Sequence, residues 1–275
     1  MKDGATPQIL GRHNQRVARL RRQIQREEPD VTVVDGLKLV ADLAGAGVPI
    51  VELFAVGERL EALRAVPALA RVLDAGRAYL LDPGTMTHLA PTRQTQGVLA
   101  VVAVPAPRIR PGGIVLYLDR LQDPGNVGGV IRCAAAFGAA GVVCSPGCAD
   151  PFSPRALRAS AGQALMLPVQ AEVAFAPLAG GFRGAGGEVV GTVEAGGTPL
   201  RAWHAHTPLL LVLGNEGQGL SAEVSAGCDR HVTVPLDGAV DSLNVAVTAG
   251  VVLASLAGVA GTPILEGQGK RGRPR

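Results

Sequence analysis

Short, wholly apolar runs that end at glycine- or carboxylate-bearing turns constrain this chain more than any other feature. Ile114 to Leu118, Gly141 to Cys144 and the five Leu/Val residues 209–213 are the clearest of them, and Val189 to Val193, interrupted only by Thr192, is close to the pattern. Such a run has no polar face, so it forms a strand only where both sides of its sheet are covered. Between the runs lie helical stretches at 124–137, 154–161, 172–183, 219–226 and 242 to about 259. The pattern predicts an α/β fold with a parallel sheet and helices on both faces. Residues 1–104 repeat the alternation on a smaller scale. Strands are expected at 31–34, 50–56, 78–81 and 97–104, with helices at 12–26, after Asp35, over 58–74 with a break at Pro67, and from Pro83 to Leu89. Only 8 of the 275 residues are Phe, Tyr or Trp, so Ala, Val and Leu must build both cores.

Residues 105–113, Pro-Ala-Pro-Arg-Ile-Arg-Pro-Gly-Gly, cannot continue a helix or a central strand. They divide the chain into a small domain at 1–104 and a larger one at 114–265, followed by a basic tail at 266–275. Charge follows the same division. The first 30 residues and the last ten each carry a net +3, while residues 31–265 carry −3. Of the 26 basic residues, 23 are Arg. Arginine-rich ends suit phosphate, in a nucleic acid or at an anionic membrane, as well as they suit a solvated helix face. The uncharged stretch 243–265 with its basic flank has the outline of a membrane anchor. Its many Ala, Gly, Thr and Ser residues and Pro263 favour a buried helix instead. The four cysteines contain no CxxC pair and are expected to be reduced thiols in a cytoplasmic protein, with no metal site.

Three loops at strand ends are candidates for chemistry. In the first, 118–139, a strand ends in Asp119, a Gly/Pro turn follows, and a helix starts near Asn126. Arg132 lies in the apolar run of that helix; buried, its guanidinium would need an anionic partner from protein or ligand, and at the helix edge it would pair with a carboxylate. In the second, 209–221, an apolar strand runs into Gly-Asn-Glu-Gly-Gln-Gly and then a helix. Such a turn places backbone N–H groups at the carboxyl edge of the sheet, where α/β proteins bind ligands, and the spacing fits an ordinary tight turn equally well. No Lys-Ser/Thr follows, so it is not a Walker A loop, and it is no GxGxxG fingerprint. In the third, 234–250, Ser242 is expected to cap a helix beginning Leu243-Asn244-Val245. A polar Asn244 at that point either caps or bonds a neighbouring loop or ligand.

In this order the three loops closely resemble the SpoU/TrmH family of RNA ribose 2′-O-methyltransferases, within the SPOUT superfamily. The resemblance rests on Asp123-Pro124-Gly125-Asn126-Val127-Gly128 with Arg132 and Phe137-Gly138. It continues through Gly214-Asn215-Glu216-Gly217-x-Gly219-Leu220-Ser221, then Val234-Pro235-Leu236 and Ser242-Leu243-Asn244-Val245. It is strong over 114–260 and weaker over 12–104, which looks like the family's ribosomal-protein-like RNA-binding domain. There the family commonly carries Glu-Gly where this chain has Asp35-Gly36.

The resemblance implies a trefoil-knotted C-terminal methyltransferase domain that holds S-adenosyl-L-methionine in a bent shape. Gly214, Val234, Leu236 and Leu243 would line the adenosine site, largely through backbone groups. Arg132 occupies the family's catalytic position. A guanidinium releases its proton very reluctantly, so its expected work is to bind the nucleotide phosphate and stabilise the developing alkoxide. Asn126, Glu216, Ser242 and Asn244 would organise Arg132, the ribose and the knot loops. Glu216 is read equally as a substrate contact or as a partner for loop N–H groups. The resemblance further implies a homodimer built on the C-terminal helix, with no membrane attachment. RNA would be held by the N-terminal domain and by Arg16, Arg19, Arg22 and Arg26. Ribosomal RNA is the expected substrate and tRNA the alternative, because relatives with a separate front domain often act on ribosomal RNA. A non-catalytic RNA-binding protein and a nicotinamide-dependent oxidoreductase are the competing functions. Intact Asn126, Arg132, Glu216 and Asn244 oppose the first, and the missing acidic residue after a GxGxxG turn opposes the second.

Overall fold

The computed structural model describes residues 7–91, 95–238, 240 and 242–256. Among these residues the chain begins β1 (Gln8–Leu10), α1 (Gln15–Ile24), β2 (Val31–Asp35), α2 (Leu37–Gly45), β3 (Ile50–Ala55), α3 (Leu60–Arg64) and α4 (Pro67–Asp74). It continues through β4 (Ala78–Leu81), α5 (Pro83–Leu89), β5 (Val98–Ala103), β6 (Ile114–Leu118), α6 (Pro124–Ala136), β7 (Gly141–Cys144) and α7 (Pro154–Ala159). It ends with β8 (Val169–Gln170), α8 (Phe175–Gly184), β9 (Glu188–Thr192), β10 (Thr198–Pro199), β11 (Leu209–Leu213), α9 (Ala222–Ala226), β12 (Arg230–Thr233) and α10 (Val245–Ser255).

Two compact units result: Met1–Ala106 with Asp150–Met166, and Pro107–Ala149 with Leu167–Arg275. The first holds a five-stranded mixed sheet in the order β1-β4-β3-β5-β2, with β5 antiparallel to both its neighbours. α1 buries Val17 and Leu20 with Phe54, Tyr79, Met86 and Leu99, as its 3.6-residue spacing predicts. Residues 150–166, assigned from sequence to the second domain, instead complete this unit. The hydroxyl of buried Thr32 donates to the Phe152 carbonyl at 2.7 Å, and Arg26 pairs with Asp150 at 2.7 Å. Gly162 has φ +79°, and a Cβ there would sit 2.7 Å from a Leu39 methyl, so both the backbone and the space demand glycine. Gly36, with φ +108°, occupies the cap position of α2 expected for Asp35.

The second unit holds a parallel sheet in the order β10-β12-β9-β11-β6-β7-β8. β11 lies inside it, paired to β9 and β6, and all five of its side chains are buried. Leu210 and Val212 join Tyr117, Phe175, Ala179 and Phe182 on one face, while Leu209, Leu211 and Leu213 alternate to the other. α6 and α10 pack through small residues. The Cys133 thiol donates to the Ala246 carbonyl at 3.4 Å, and a Cβ on Gly129 would meet the Ala246 Cβ at 2.8 Å. β1, β8 and β10 are strands the sequence pattern did not mark; each has two or three residues. α9 begins at Ala222 rather than Gly219 because Ser221 caps it. α10 begins at Val245, with Asn244 and not Ser242 as its cap. The expected helix end near Val259 and the tail at 266–275 lie outside the described residues. No helix among the described residues is long and apolar enough to cross a membrane.

Filling the α6–α10 contact should be costly. Gly129→Val is expected to lower stability by about 1–3 kcal/mol through overpacking. Chemical denaturation checks this, and an unchanged midpoint would contradict the contact.

Candidate active site

The carboxyl ends of β9, β11 and β12 are adjacent in the sheet, and the loops leaving them enclose a cavity of about 340 Å³. The first wall is the turn after β11. Asn215 and Gly219 exchange backbone hydrogen bonds at 3.0 and 2.8 Å, and the Asn215 side chain accepts from Gly217 N–H at 3.0 Å. Gly214 must be glycine because a Cβ there would lie 2.4 Å from the Gly219 backbone. The turn is fastened to the end of β6. Asn215 Nδ2 donates to the Arg120 carbonyl at 2.9 Å, and the Ser221 N–H donates to Asp119 Oδ2 at 2.6 Å. Asp119 is buried, with its side chain 3% exposed, and also accepts from Arg120 Nε at 3.3 Å. A carboxylate in such a place needs these charge-assisted partners.

The second wall is the segment between β12 and α10. Val234, Leu236, Ser242 and Leu243 line the cavity there, and Gly214 and Glu216 line it from the first wall. The four residues expected at the adenosine site therefore share one cavity. A hydrogen-bonded chain runs from the lining residue Glu216 through Asn126 to Asn244, which stands between the lining residues Leu243 and Val245 in sequence. Asn126 Nδ2 donates to Glu216 Oε1, Asn244 Nδ2 donates to Asn126 Oδ1 at 2.8 Å, and Asn244 Oδ1 accepts from Ala246 N–H at 2.9 Å. Asn126 itself opens α6, whose first turn is capped by Asp123. Asn244 thus both caps its helix and reaches across to another motif. Glu216 takes its hydrogen bond from Asn126, a third role beside the two expected for it.

Arg132 lies at the exposed edge of its helix rather than in the apolar core. α6 buries Val127, Val130, Ile131 and Ala134, and position 132 falls off that stripe and is exposed. Among the described residues its guanidinium has no hydrogen bond or ion pair, which leaves its donors available to an anionic ligand. Sequence reasoning missed Thr192, Glu194 and Thr248, which also line the cavity. The position of Glu194 immediately after the run Val189–Val193 was the available signal. Glu194 and Glu216 are the only ionisable side chains among the lining residues.

In the first unit, three of the four arginines expected to bind RNA have protein partners. Arg16 pairs with Glu52 at 2.6 Å and lies 4.6 Å over the Tyr79 ring. Arg19 grips Glu28, and this hydrogen-bonded pairing lowers the Glu28 carboxyl pKa and raises that of Arg19. Arg26, paired with Asp150, also donates to the carbonyls of Val31 and Pro29. Arg22 is exposed, as is Arg21 beside it.

Residues 113–254 match the SpoU rRNA Methylase family. The chain is 38% identical to an uncharacterized tRNA/rRNA methyltransferase of Synechocystis over 182 residues, 64% of this chain and 65% of that protein. It is 33% identical to a Mycobacterium tuberculosis tRNA/rRNA methyltransferase over 257 residues, 87% and 78% of the two chains. Its fold is similar to the AdoMet-bound rRNA methyltransferase of Sinorhizobium meliloti, with TM-score 0.77 and 28% identity over 90% of this chain and 97% of that one.

Because Asp119 fastens the first wall, Asp119→Ala should cost about 1.5–3 kcal/mol, the range for a buried hydrogen bond to a charged group. Thermal denaturation measures it. A midpoint equal to wild type would show that the turn after β11 holds itself.

Proposed function

The chain belongs to the SpoU rRNA methylase family of S-adenosylmethionine-dependent RNA methyltransferases, and we propose that it methylates a ribose 2′-hydroxyl of ribosomal RNA. One observation carries the cofactor assignment to this cavity. Its only ionisable wall groups among the described residues are the carboxylates Glu194 and Glu216. Such a wall repels a polyphosphate and attracts a ligand bearing a sulfonium and an ammonium. It therefore disfavours a nicotinamide dinucleotide, and its size and neutral glycine-rich turn suit adenosine. Gly214, Val234, Leu236 and Leu243 would hold that adenosine, chiefly by backbone groups. A trefoil-knotted crossing of the loops at 214–221 and 234–244 accords with their convergence on one cavity.

When bound, S-adenosylmethionine supplies an electrophilic methyl group, so the protein's task is to present the hydroxyl. Arg132, exposed on α6, binds the phosphate of the target nucleotide and stabilises the alkoxide as it develops. Asn126 holds the start of α6 against Glu216 and Asn244, so the three motifs keep one spacing. Ser242 lines the cavity next to Leu243 and would help to organise the knot loops. The ribose proton passes to phosphate or solvent, because the guanidinium stays protonated throughout. The likeness to an rRNA methyltransferase and the separate N-terminal unit support ribosomal RNA over tRNA. That substrate would place the protein in the cytoplasm. Within the N-terminal unit, exposed Arg21 and Arg22 are better placed for phosphate than Arg16, Arg19 and Arg26.

A homodimer through α10 is part of the same proposal. Val247 and Val251 stand four apart on this uncharged helix and are 51% and 38% exposed. A second copy would cover that stripe. Val251→Glu should then yield monomers by light scattering, and a dimer unchanged by it would refute this interface.

Labelled S-adenosylmethionine and ribosomal RNA should give incorporation at ribose 2′-oxygens. Arg132→Lys keeps the charge and loses the two-pronged donor, so turnover should fall about 100-fold. Near-normal turnover would remove Arg132 from this role.

A further inference from the structure

Arg120 holds a backbone conformation that its own contacts within the protein repay poorly. It lies two residues past the end of β6 and sits at φ +57°, in the left-handed region that favours glycine. Arg26, at φ +62°, keeps the same conformation through an ion pair with Asp150 at 2.7 Å and bonds to the carbonyls of Val31 and Pro29. The Arg120 side chain makes one polar contact among the described residues, from Nε to Asp119 Oδ1 at 3.3 Å. That is long for a charge-assisted bond, and Asp119 already accepts from Ser221 N–H at 2.6 Å. We propose that Arg120 is a second phosphate-binding residue for the RNA substrate, gripping the sugar-phosphate backbone beside the nucleotide whose phosphate Arg132 binds.

The placement of Arg120 supports this role. β6 lies between β11 and β7 in a parallel sheet, so its carboxyl end shares an edge with the cavity. The segment leaving it, 119–123, leads into α6, which carries Asn126 and Arg132. The Arg120 carbonyl accepts from Asn215 Nδ2 at 2.9 Å, beside Glu216 of the cavity wall, and its N–H donates to the Ser145 hydroxyl at 2.9 Å. Both backbone groups are fastened, so the side chain starts from a fixed point. Its stem passes Gly147, where an added Cβ would come 3.9 Å from Arg120 Cγ. The side chain is 38% exposed, against 3% for that of Asp119.

The bond through Nε commits one of the guanidinium N–H groups and leaves the two terminal nitrogens without a partner among the described residues. Those two nitrogens carry the parallel N–H groups that match a pair of phosphate oxygens. Asp119 thus orients the guanidinium from below and leaves its fork to an anion from outside. Arg120 is not among the described residues that line the cavity, which separates it from the carboxylate of a cofactor bound there. The other anion of the reaction is the RNA backbone, which presents a phosphate on each side of the target nucleotide. A contact to one of them fixes the register of the RNA without reading a base. The strained backbone is then kept for a bond made only with substrate.

The test compares Arg120→Gly and Arg120→Lys with wild type in the full chain. Glycine adopts φ +57° freely and keeps the backbone bonds to Asn215 and Ser145, so Arg120→Gly should fold. Its affinity for ribosomal RNA should fall about tenfold or more, because a charge-assisted contact is lost and the Asp119 carboxylate is uncovered. The plot of log affinity against log salt should become shallower by about 1. KM for RNA should rise more than kcat falls, while S-adenosylmethionine affinity by calorimetry should match wild type. Arg120→Lys should restore the salt slope. RNA affinity and salt slope equal to wild type in Arg120→Gly would overturn the proposal. A loss confined to S-adenosylmethionine affinity would also overturn it, making Arg120 a partner of Asp119 alone, as would a salt slope that lysine does not restore. The choice of probe rests on the reading of ribosomal RNA as the substrate. Wild-type protein that binds tRNA and not ribosomal RNA would defeat that reading, and the same comparison on tRNA would still decide Arg120. Wild-type protein that binds neither would defeat both.

Discussion

The hydrogen-bonded chain from Glu216 through Asn126 to Asn244 and the first turn of α10 is the interaction on which the site depends. Asn126 lies in the first turn of α6, Glu216 in the turn after β11 and Asn244 at the cap of α10, three segments that follow different strands. Apart from this chain, α6 and α10 are joined by apolar packing, which is non-directional, and by the hydrogen bond from the Cys133 thiol to the Ala246 carbonyl. An asparagine suits the middle position because its amide donates on one side and accepts on the other. Asn126 uses both functions, one toward a carboxylate and one toward another amide. The result is a fixed spacing between an exposed guanidinium on α6 and a cavity whose walls carry negative charge.

Behind the chain stands the buried carboxylate of Asp119. It receives the N–H that opens α9 and the guanidinium of its neighbour Arg120. The parallel sheet brings β6 and β11 side by side, so the end of one strand can hold the loop of the other. Function and fold are therefore coupled through short polar contacts at one edge of the sheet. The apolar interior, built from Leu and Val on β11 and Phe on α8, supplies the rigid base.

Much of this was legible in the sequence for physical reasons. Five consecutive aliphatic residues at 209–213 can be covered only inside a sheet, and they are. Gly214 and the loops at 214–221 and 234–244 could be placed at strand ends from their turn chemistry. Their convergence could not, because Asn126 and Asn244 meet across 118 residues and no local period encodes such a pair. Only the resemblance to a known family brought them together. The exposure of Arg132 was in principle readable, since positions 127, 130, 131 and 134 define the buried stripe of α6 without it. The partners of Arg16, Arg19 and Arg26 were not, because Glu52 and Asp150 are distant in sequence and Glu28 lies beyond the end of α1. Strands of two or three residues, such as β8 and β10, are specified by their neighbours rather than by their own composition.

The cavity with its two carboxylates and the Arg132 guanidinium on α6 are proposed to serve methylation of an RNA ribose. Mapping 2′-O-methyl groups across ribosomal RNA and tRNA from cells with and without the gene tests that claim most directly. A ribose in ribosomal RNA should lose its methyl group when the gene is absent and regain it when the gene is restored. Unchanged ribose methylation, with or without a change in base methylation, would contradict it.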